Sequence, residues 1–215
     1  MDAQSKMKTI KEATQSALTA LAEPSTREPL AKSVHTLELK TIETRDDAEV
    51  IALRDAGELF LAEMHGDRPP RWLTLLGQSG VGKTHTARAM YALAKKRLGF
   101  QLCPRLGIDQ FRTFRFLNWT EACGRMRDGE HDLVKAMRAV DLLVLDDIGA
   151  EYDPSGYVTS QLYRVIDGRM GKWTILTSNL SLHQIENTLD PRIADRMLRD
   201  GNKVRTVKAK SWAMR

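Results

Sequence analysis

A glycine loop ending in Gly-Lys-Thr constrains this chain more than any other stretch. Gly77, Gly82, Lys83 and Thr84 fit the phosphate-loop spacing G-x-x-x-x-G-K-[ST]. A strand-like apolar run, residues 72–76, precedes the loop, and a helix-like run, residues 84–98, follows it. That order matters, because backbone N–H groups can surround a polyphosphate only where the chain turns tightly and then enters a helix N-terminus. Lys83, expected on a solvated loop, would set a point charge on the β- and γ-phosphates, and the Thr84 hydroxyl would ligate Mg²⁺. The competing reading is a glycine-rich turn before an ordinary helix.

The pattern downstream repeats strand and helix. Residues 114–118, 141–148, 173–179 and 203–207 read as further strands. Residues 46–64, 119–126, 131–139, 157–170, 182–189 and 191–199 read as helices. Residues 99–112, which contain Gly and Pro, read as an irregular connection. Alternation of this kind predicts an α/β fold with a parallel sheet of five strands flanked by helices, and ligands then bind at the carboxyl ends of the strands. The polar residues fall at those ends. Asp146 and Asp147 close the run from Asp141, and Asn179 closes the run from Trp173.

Residues 1–45 differ from the rest and are expected to be an extension to a domain over 46–215. Apolar residues at 7, 10, 13, 17, 18 and 21 have helical spacing, and Pro24 and Pro29 mark a linker behind them. Residues 37–42 alternate and suit a short strand or an extended arm. The extension is either a disordered leader or a docking element for a partner.

Composition excludes several classes. No apolar run approaches the length of a membrane span, and no uninterrupted apolar segment follows the first lysines. Cys103 and Cys123 stand apart from any Cys or His cluster, which fits a reducing cytoplasm and no metal framework. The net charge is +5, with the basic excess concentrated in residues 95–127 and from Arg192 onward. Clustered basic charge suits contact with nucleic-acid phosphate, and it also suits a solvated surface.

The other chemical groups extend the loop into a site. Asp146 is placed to share Mg²⁺ with Thr84. Asp147 is the candidate to orient or deprotonate an attacking water. The Asn179 amide would hold that water or the γ-phosphate. Arg192 and Arg196 lie four apart on one helix face, suited either to reach a neighbouring subunit's γ-phosphate or to pair with Asp190 or Asp195.

Four motifs in this order resemble the AAA+ ATPases of the DnaC/IstB type, the helicase-loader and transposition-helper group. They are Gly77-Gln-Ser-Gly-Val-Gly-Lys-Thr-His85, Leu142-Leu-Val-Leu-Asp-Asp-Ile-Gly149, Thr177-Ser-Asn-Leu180 and Arg192-Ile-Ala-Asp-Arg-Met197. The resemblance covers roughly residue 46 to the end. It implies that Gly77, Gln78, Ser79, Gly80, Val81, Gly82, Lys83, Thr84 and His85 cradle ATP or ADP, and that Thr84 and Asp146 hold Mg²⁺. It implies that Asp147 is catalytic, that Asn179 senses the γ-phosphate, and that Arg196, with Arg192 as the other candidate, is an arginine finger acting between subunits of a homo-oligomer. Arg125, Arg127, Lys135 and Arg138 fall where the group is similar to initiators that grip single-stranded DNA. Thr86 departs from the group's usual leucine. The chain is expected to lack the C-terminal helical lid of larger AAA+ proteins, which suits a slow, switch-like ATPase.

The resemblance implies an ATP-dependent loader of a replicative DNA helicase, bacterial or phage-borne, docking its helicase through the N-terminal extension. The alternative is an IstB-type helper with a transposase as partner. A small-molecule kinase built on the same loop is the remote third reading. It would need no neighbouring subunit.

Overall fold

The central strands are buried along their length because helices cover both of their faces. A computed structural model describes residues 38–39, 42–44, 47–66, 68–103 and 108–212, with side chains undescribed for 100–111. The expected helix at 7–21 and the linker behind it lie outside the described residues.

Five parallel strands form the main sheet: β1 (Trp72–Leu76), β4 (Phe114–Asn118), β5 (Leu142–Ile148), β6 (Trp173–Ser178) and β7 (Lys203–Thr206), in the order β4-β5-β6-β1-β7. Successive side chains leave a strand on opposite faces, and the apolar residues divide accordingly. On one face Leu73, Leu75, Leu142, Val144, Trp173 and Ile175 pack against α1 (Ala48–His65) and α2 (Lys83–Leu98). On the other, Trp72, Leu76, Leu143, Leu145 and Leu176 meet α3 (Trp119–Arg127), α4 (Leu133–Ala139), α5 (Tyr157–Asp167), α6 (Leu182–Thr188) and α7 (Pro191–Leu198). The result is a three-layer α/β sandwich with the expected five-stranded parallel sheet.

Local chemistry sets the helix ends. Asp47 accepts hydrogen bonds from the N–H groups of Glu49 and Val50 and so caps α1. Ser181 and Gln184 form a reciprocal capping box on α6. Asp190 caps α7 ahead of Pro191, whose fixed φ suits the first helical position. Helix α5 stops at Asp167 instead of running to residue 170, because Arg169 turns into the core. Its side chain is fully buried and donates to the carbonyls of Val140, Asp141 and Trp173. That guanidinium ties the starts of β5 and β6 to the end of α4. Burial lowers its pKa to about 10, partly offset by Asp141.

Residues 99–112 are not the irregular connection expected. Strands β2 (Phe100–Cys103) and β3 (Ile108–Phe111) pair antiparallel there as a separate two-stranded sheet. Each strand is four residues long, too short for alternation to register against Pro104 and Gly107 in the sequence.

Residues 38–39 and 42–44 carry no regular element, yet Leu39 and Ile42 are buried in the same cluster as Val50 and Leu53. The Leu39 N–H donates to Glu58 Oε1 at 2.8 Å. The packed core therefore takes in residues ahead of position 46.

Candidate nucleotide site

All five parallel strands run the same way, so their carboxyl ends share one edge of the sheet, and a cleft of about 800 Å³ opens there. Strand β1 feeds the glycine loop, and α2 begins at Lys83, with Gly82 as its cap in the left-handed region at φ 101°. Gly80, at φ 79°, also needs that region, which a β-carbon would strain. The cleft is lined by Ser79, Gly80, Gly82, Lys83, Thr84, His85, Asp146, Asp147, Thr177 and Asn179 together with Ile42, Val50, Leu53 and Trp212. Two distant segments of the sequence thus meet the phosphate loop.

Lys83 is buried, at 6% exposure, and not on a solvated loop. The base of the loop folds over it, and its Nζ donates to Gly77 O at 2.7 Å, Gln78 O at 2.8 Å and Asn179 Oδ1 at 2.8 Å. All three partners are neutral. Burial lowers the Lys83 pKa, while Asp147 and Asp146 act in the opposite direction. A buried ammonium held only by neutral oxygens has unspent charge for an anion, which fits a triphosphate.

Thr84 Oγ1 donates to Asp146 Oδ1 at 2.9 Å, and Thr177 Oγ1 donates to the same oxygen at 2.6 Å. Asp146 is 2% exposed, so a carboxylate and a hydroxyl stand together in a water-poor corner of the cleft. That donor set is hard oxygen, which suits Mg²⁺.

The two consecutive aspartates both line the cleft, although a regular strand would send them to opposite faces. A β-bulge resolves this. Leu145 pairs with Leu176 and Ile148 with Ser178, leaving Asp146 and Asp147 opposite Thr177 alone. Asp147 takes φ 63°, a left-handed conformation that an aspartate tolerates better than most residues. Its N–H donates to Thr177 Oγ1 at 2.9 Å, and its carboxylate accepts from Asn179 Nδ2 at 2.8 Å. Thr177 therefore holds both aspartates with one hydroxyl. In the sequence Thr177 stands out only as part of the motif Thr177-Ser-Asn-Leu180. Its hydroxyl side chain, one residue before the end of an apolar strand, was the available signal.

Other contributors carried weaker signals. Glu151 accepts from the Trp119 indole at 2.9 Å and from the Gly149 N–H at 2.8 Å, which pins the loop after β5. Trp212 reaches the cleft from beyond the last strand.

The arginines of α7 do not line this cleft. Arg196 pairs with Asp167 and Asp195, each at 3.1 Å. Arg192 pairs with Asp190 at 2.8 Å and stacks its guanidinium 4.0 Å from the centre of the Tyr163 ring, with its side chain 62% exposed. Asp190 holds Arg192 above the usual arginine pKa, and Asp167 does the same for Arg196. Arg125 is bound to Glu130 at 2.6 Å, and Arg127 donates to the Tyr152 carbonyl at 2.6 Å. Lys135 and Arg138 are exposed on α4.

A family model for IstB-like ATP binding proteins matches residues 60–215. The fold is similar to the crystal structure of the DnaC helicase loader, at 22% identity and TM-score 0.59, over 82% of this chain and 99% of that one. It is similar to the crystal structure of DnaI at 21% identity and TM-score 0.63, over 86% of this chain and 93% of that one. A third likeness is to the replication initiator DnaA bound to AMPPCP and single-stranded DNA, at 17% identity and TM-score 0.55, over 81% of this chain and 50% of that one. No curated protein matches the sequence. Among the described residues no helix is long and apolar enough to cross a membrane.

Proposed function

Because the chain belongs to the IstB-like ATP-binding family, we propose that it is an ATP-hydrolysing switch that loads a replicative DNA helicase onto single-stranded DNA. The observation that carries the ATPase reading is the Asn179 amide, which touches both the phosphate-loop lysine and the second aspartate of β5. One side chain thereby links the group that would hold the γ-phosphate to the group that would handle water.

In this reading the glycine loop and Lys83 bind the β- and γ-phosphates, with His85 beside them at the start of α2. Thr84 and Asp146 would hold Mg²⁺, which would supply positive charge against the phosphates. Asp147 orients a water and accepts its proton as the water oxygen bonds to the γ-phosphorus and the bond to ADP breaks. Asn179 keeps Asp147 and Lys83 in register, so its two hydrogen bonds change when the γ-phosphate is lost. An arginine of α7 from a second copy completes the site in a homo-oligomer. Arg192 is the more exposed of the two, and each would first have to leave its partners, Arg192 its Asp190 and Arg196 its Asp167 and Asp195.

Helicase loading is favoured over initiation because the likeness spans nearly all of the DnaC and DnaI chains and only half of the DnaA chain. The N-terminal extension is the proposed helicase contact. Single-stranded DNA would meet Arg127, Lys135 and Arg138, and Arg125 if it leaves Glu130. The family match itself supports the second reading, an IstB-type transposition helper in the same cellular compartment, the cytoplasm.

Single-turnover ATP hydrolysis by the full chain, with and without single-stranded DNA, tests the switch. Stable ATP binding with no turnover under any condition would reduce it to an adaptor. Co-purification of the full chain with a hexameric helicase supports the loader, whereas stimulation of a transposase on duplex DNA with no helicase binding replaces it with the helper.

A further inference from the structure

The chain beyond β7 reaches back across the phosphate loop. The Val207 N–H donates to Leu76 O at 2.8 Å, continuing the pairing with β1 past the strand's end. The Lys208 N–H then donates to Glu49 Oε2 at 3.3 Å, beside the first turn of α1. Finally the Trp212 N–H donates to Gly80 O at 2.9 Å. Three anchors in six residues fix the path of this segment from the tip of β1, past α1, onto the loop.

The loop's glycines make room for it. A β-carbon at Gly77 would stand 2.4 Å from the Val207 carbonyl oxygen, and one at Gly80 would stand 2.3 Å from Ser211 Oγ. Trp212 Nε1 lies 3.5 Å from where a Gly82 β-carbon would be, so the indole rests against the loop where α2 begins.

The cleft's lining has two chemical characters. Lys83, Thr84, Asp146, Asp147 and Asn179 are charged or polar, whereas Ile42, Val50, Leu53 and Trp212 offer apolar and aromatic surface. Val207 packs in the same cluster as Ile42, Val50 and Leu53, which places the segment on the α1 side of the cleft. With a triphosphate on the polar groups, a planar heterocycle at the other end of the ligand meets the apolar ones. An indole suits that partner, because stacking on an aromatic face needs no particular hydrogen-bond pattern.

We propose that residues 207–212 form the nucleobase wall of the cleft, with the Trp212 indole covering a purine ring and its backbone N–H steadying the loop through Gly80. This rests on the nucleotide-binding reading above and adds the group that grips the base. It also makes base binding and loop geometry one event, since the same residue touches both.

The chain offers its own probe. Trp72, Trp119 and Trp173 are 1%, 0% and 6% exposed, so among the four tryptophans acrylamide quenching of the full-length protein reports chiefly on Trp212, which is half-buried. ATP or ADP with Mg²⁺ is expected to shield that quenching, and inorganic tripolyphosphate, which carries the phosphates without a base, is not. Trp212→Ala is expected to weaken ATP binding by about ten- to hundredfold while tripolyphosphate binding changes by less than about twofold, with Trp212→Phe retaining most of the ATP affinity. Equal loss for both ligands would mean that the segment props the loop and does not hold the base. Unchanged ATP affinity in Trp212→Ala would overturn the proposal outright. A wild-type chain that binds tripolyphosphate and ATP equally would remove the base subsite, and one that binds neither would overturn the nucleotide reading as well.

Discussion

Asn179 Oδ1 accepts a hydrogen bond from Lys83 Nζ at 2.8 Å across 96 positions of sequence. The strand order makes this contact possible. Strand β6 lies between β1 and β5, so its tip stands between the phosphate loop and the paired aspartates. A residue at that tip is within reach of both, and an amide can accept from one and donate to the other.

Lys83→Met is expected to reduce nucleotide affinity by about two orders of magnitude, since a charge-assisted contact to phosphate is lost. Gln78 and Asn179 are exposed, so water can replace the ammonium at their oxygens, and with the desolvated charge removed the unliganded protein is expected to be as stable as the parent or more so. Calorimetric binding and urea unfolding check the two halves, and a large fall in apo stability would show that the lysine is structural.

The pH dependence follows from the same burial. The Lys83 ammonium is present at low pH and is lost as pH rises through its lowered folded value. Triphosphate affinity is therefore expected to decline at a lower pH than that of an unperturbed lysine, about 10.4. Between the folded and unfolded values the unfolded chain binds the extra proton, so the unliganded fold gains stability as pH rises through that window. Affinity measured from pH 7 upward tests the sign. A flat profile to beyond the ordinary lysine range would refute it.

Thr177→Val keeps the shape and removes the hydroxyl that holds both aspartates. It leaves the Asp147 N–H without its partner, so a stability loss of about 1–3 kcal/mol is expected. Turnover is expected to fall roughly 10- to 100-fold as Asp146 and Asp147 lose their fixed positions, and Thr177→Ser should restore most of it. Failure of serine to rescue would assign the effect to packing.

Arg192→Ala and Arg196→Ala separate the two candidates for the finger. The true finger, once removed, is expected to spare ATP binding and cost about 10³-fold in hydrolysis. Mixing that variant with Lys83→Met is expected to restore turnover, because one subunit supplies the site and the other the arginine. No recovery from either mixture would exclude action between subunits.

Arg169→Met is expected to cost at least about 2 kcal/mol, because the carbonyls of Val140, Asp141 and Trp173 would lose a buried donor. Nucleotide affinity should be unaffected at temperatures where the fold persists. Denaturant midpoints compared with those of Arg169→Lys measure it.

The phosphate loop, the aspartate pair and the five strands were legible in the sequence because each is a local pattern: spacing of glycines, an apolar run, a polar tip. The apolar run of β5 was legible too, and the bulge within it was not. Nothing in Leu-Asp-Asp-Ile says that two residues will face one on the neighbouring strand. The capped end of α5 was blurred for a related reason, since Arg169 reads as a surface residue until its carbonyl partners are known.

What the sequence by itself determined is which groups exist and at which end of which strand, since local backbone conformation follows from neighbours in the chain. What only the tertiary structure decided is which of those groups touch. The order β4-β5-β6-β1-β7 sets Asn179 between Lys83 and Asp147, and the return of residues 207–212 sets Trp212 against Gly80. Both are contacts between segments far apart in sequence, fixed by sheet pairing and core packing, to which no local period responds.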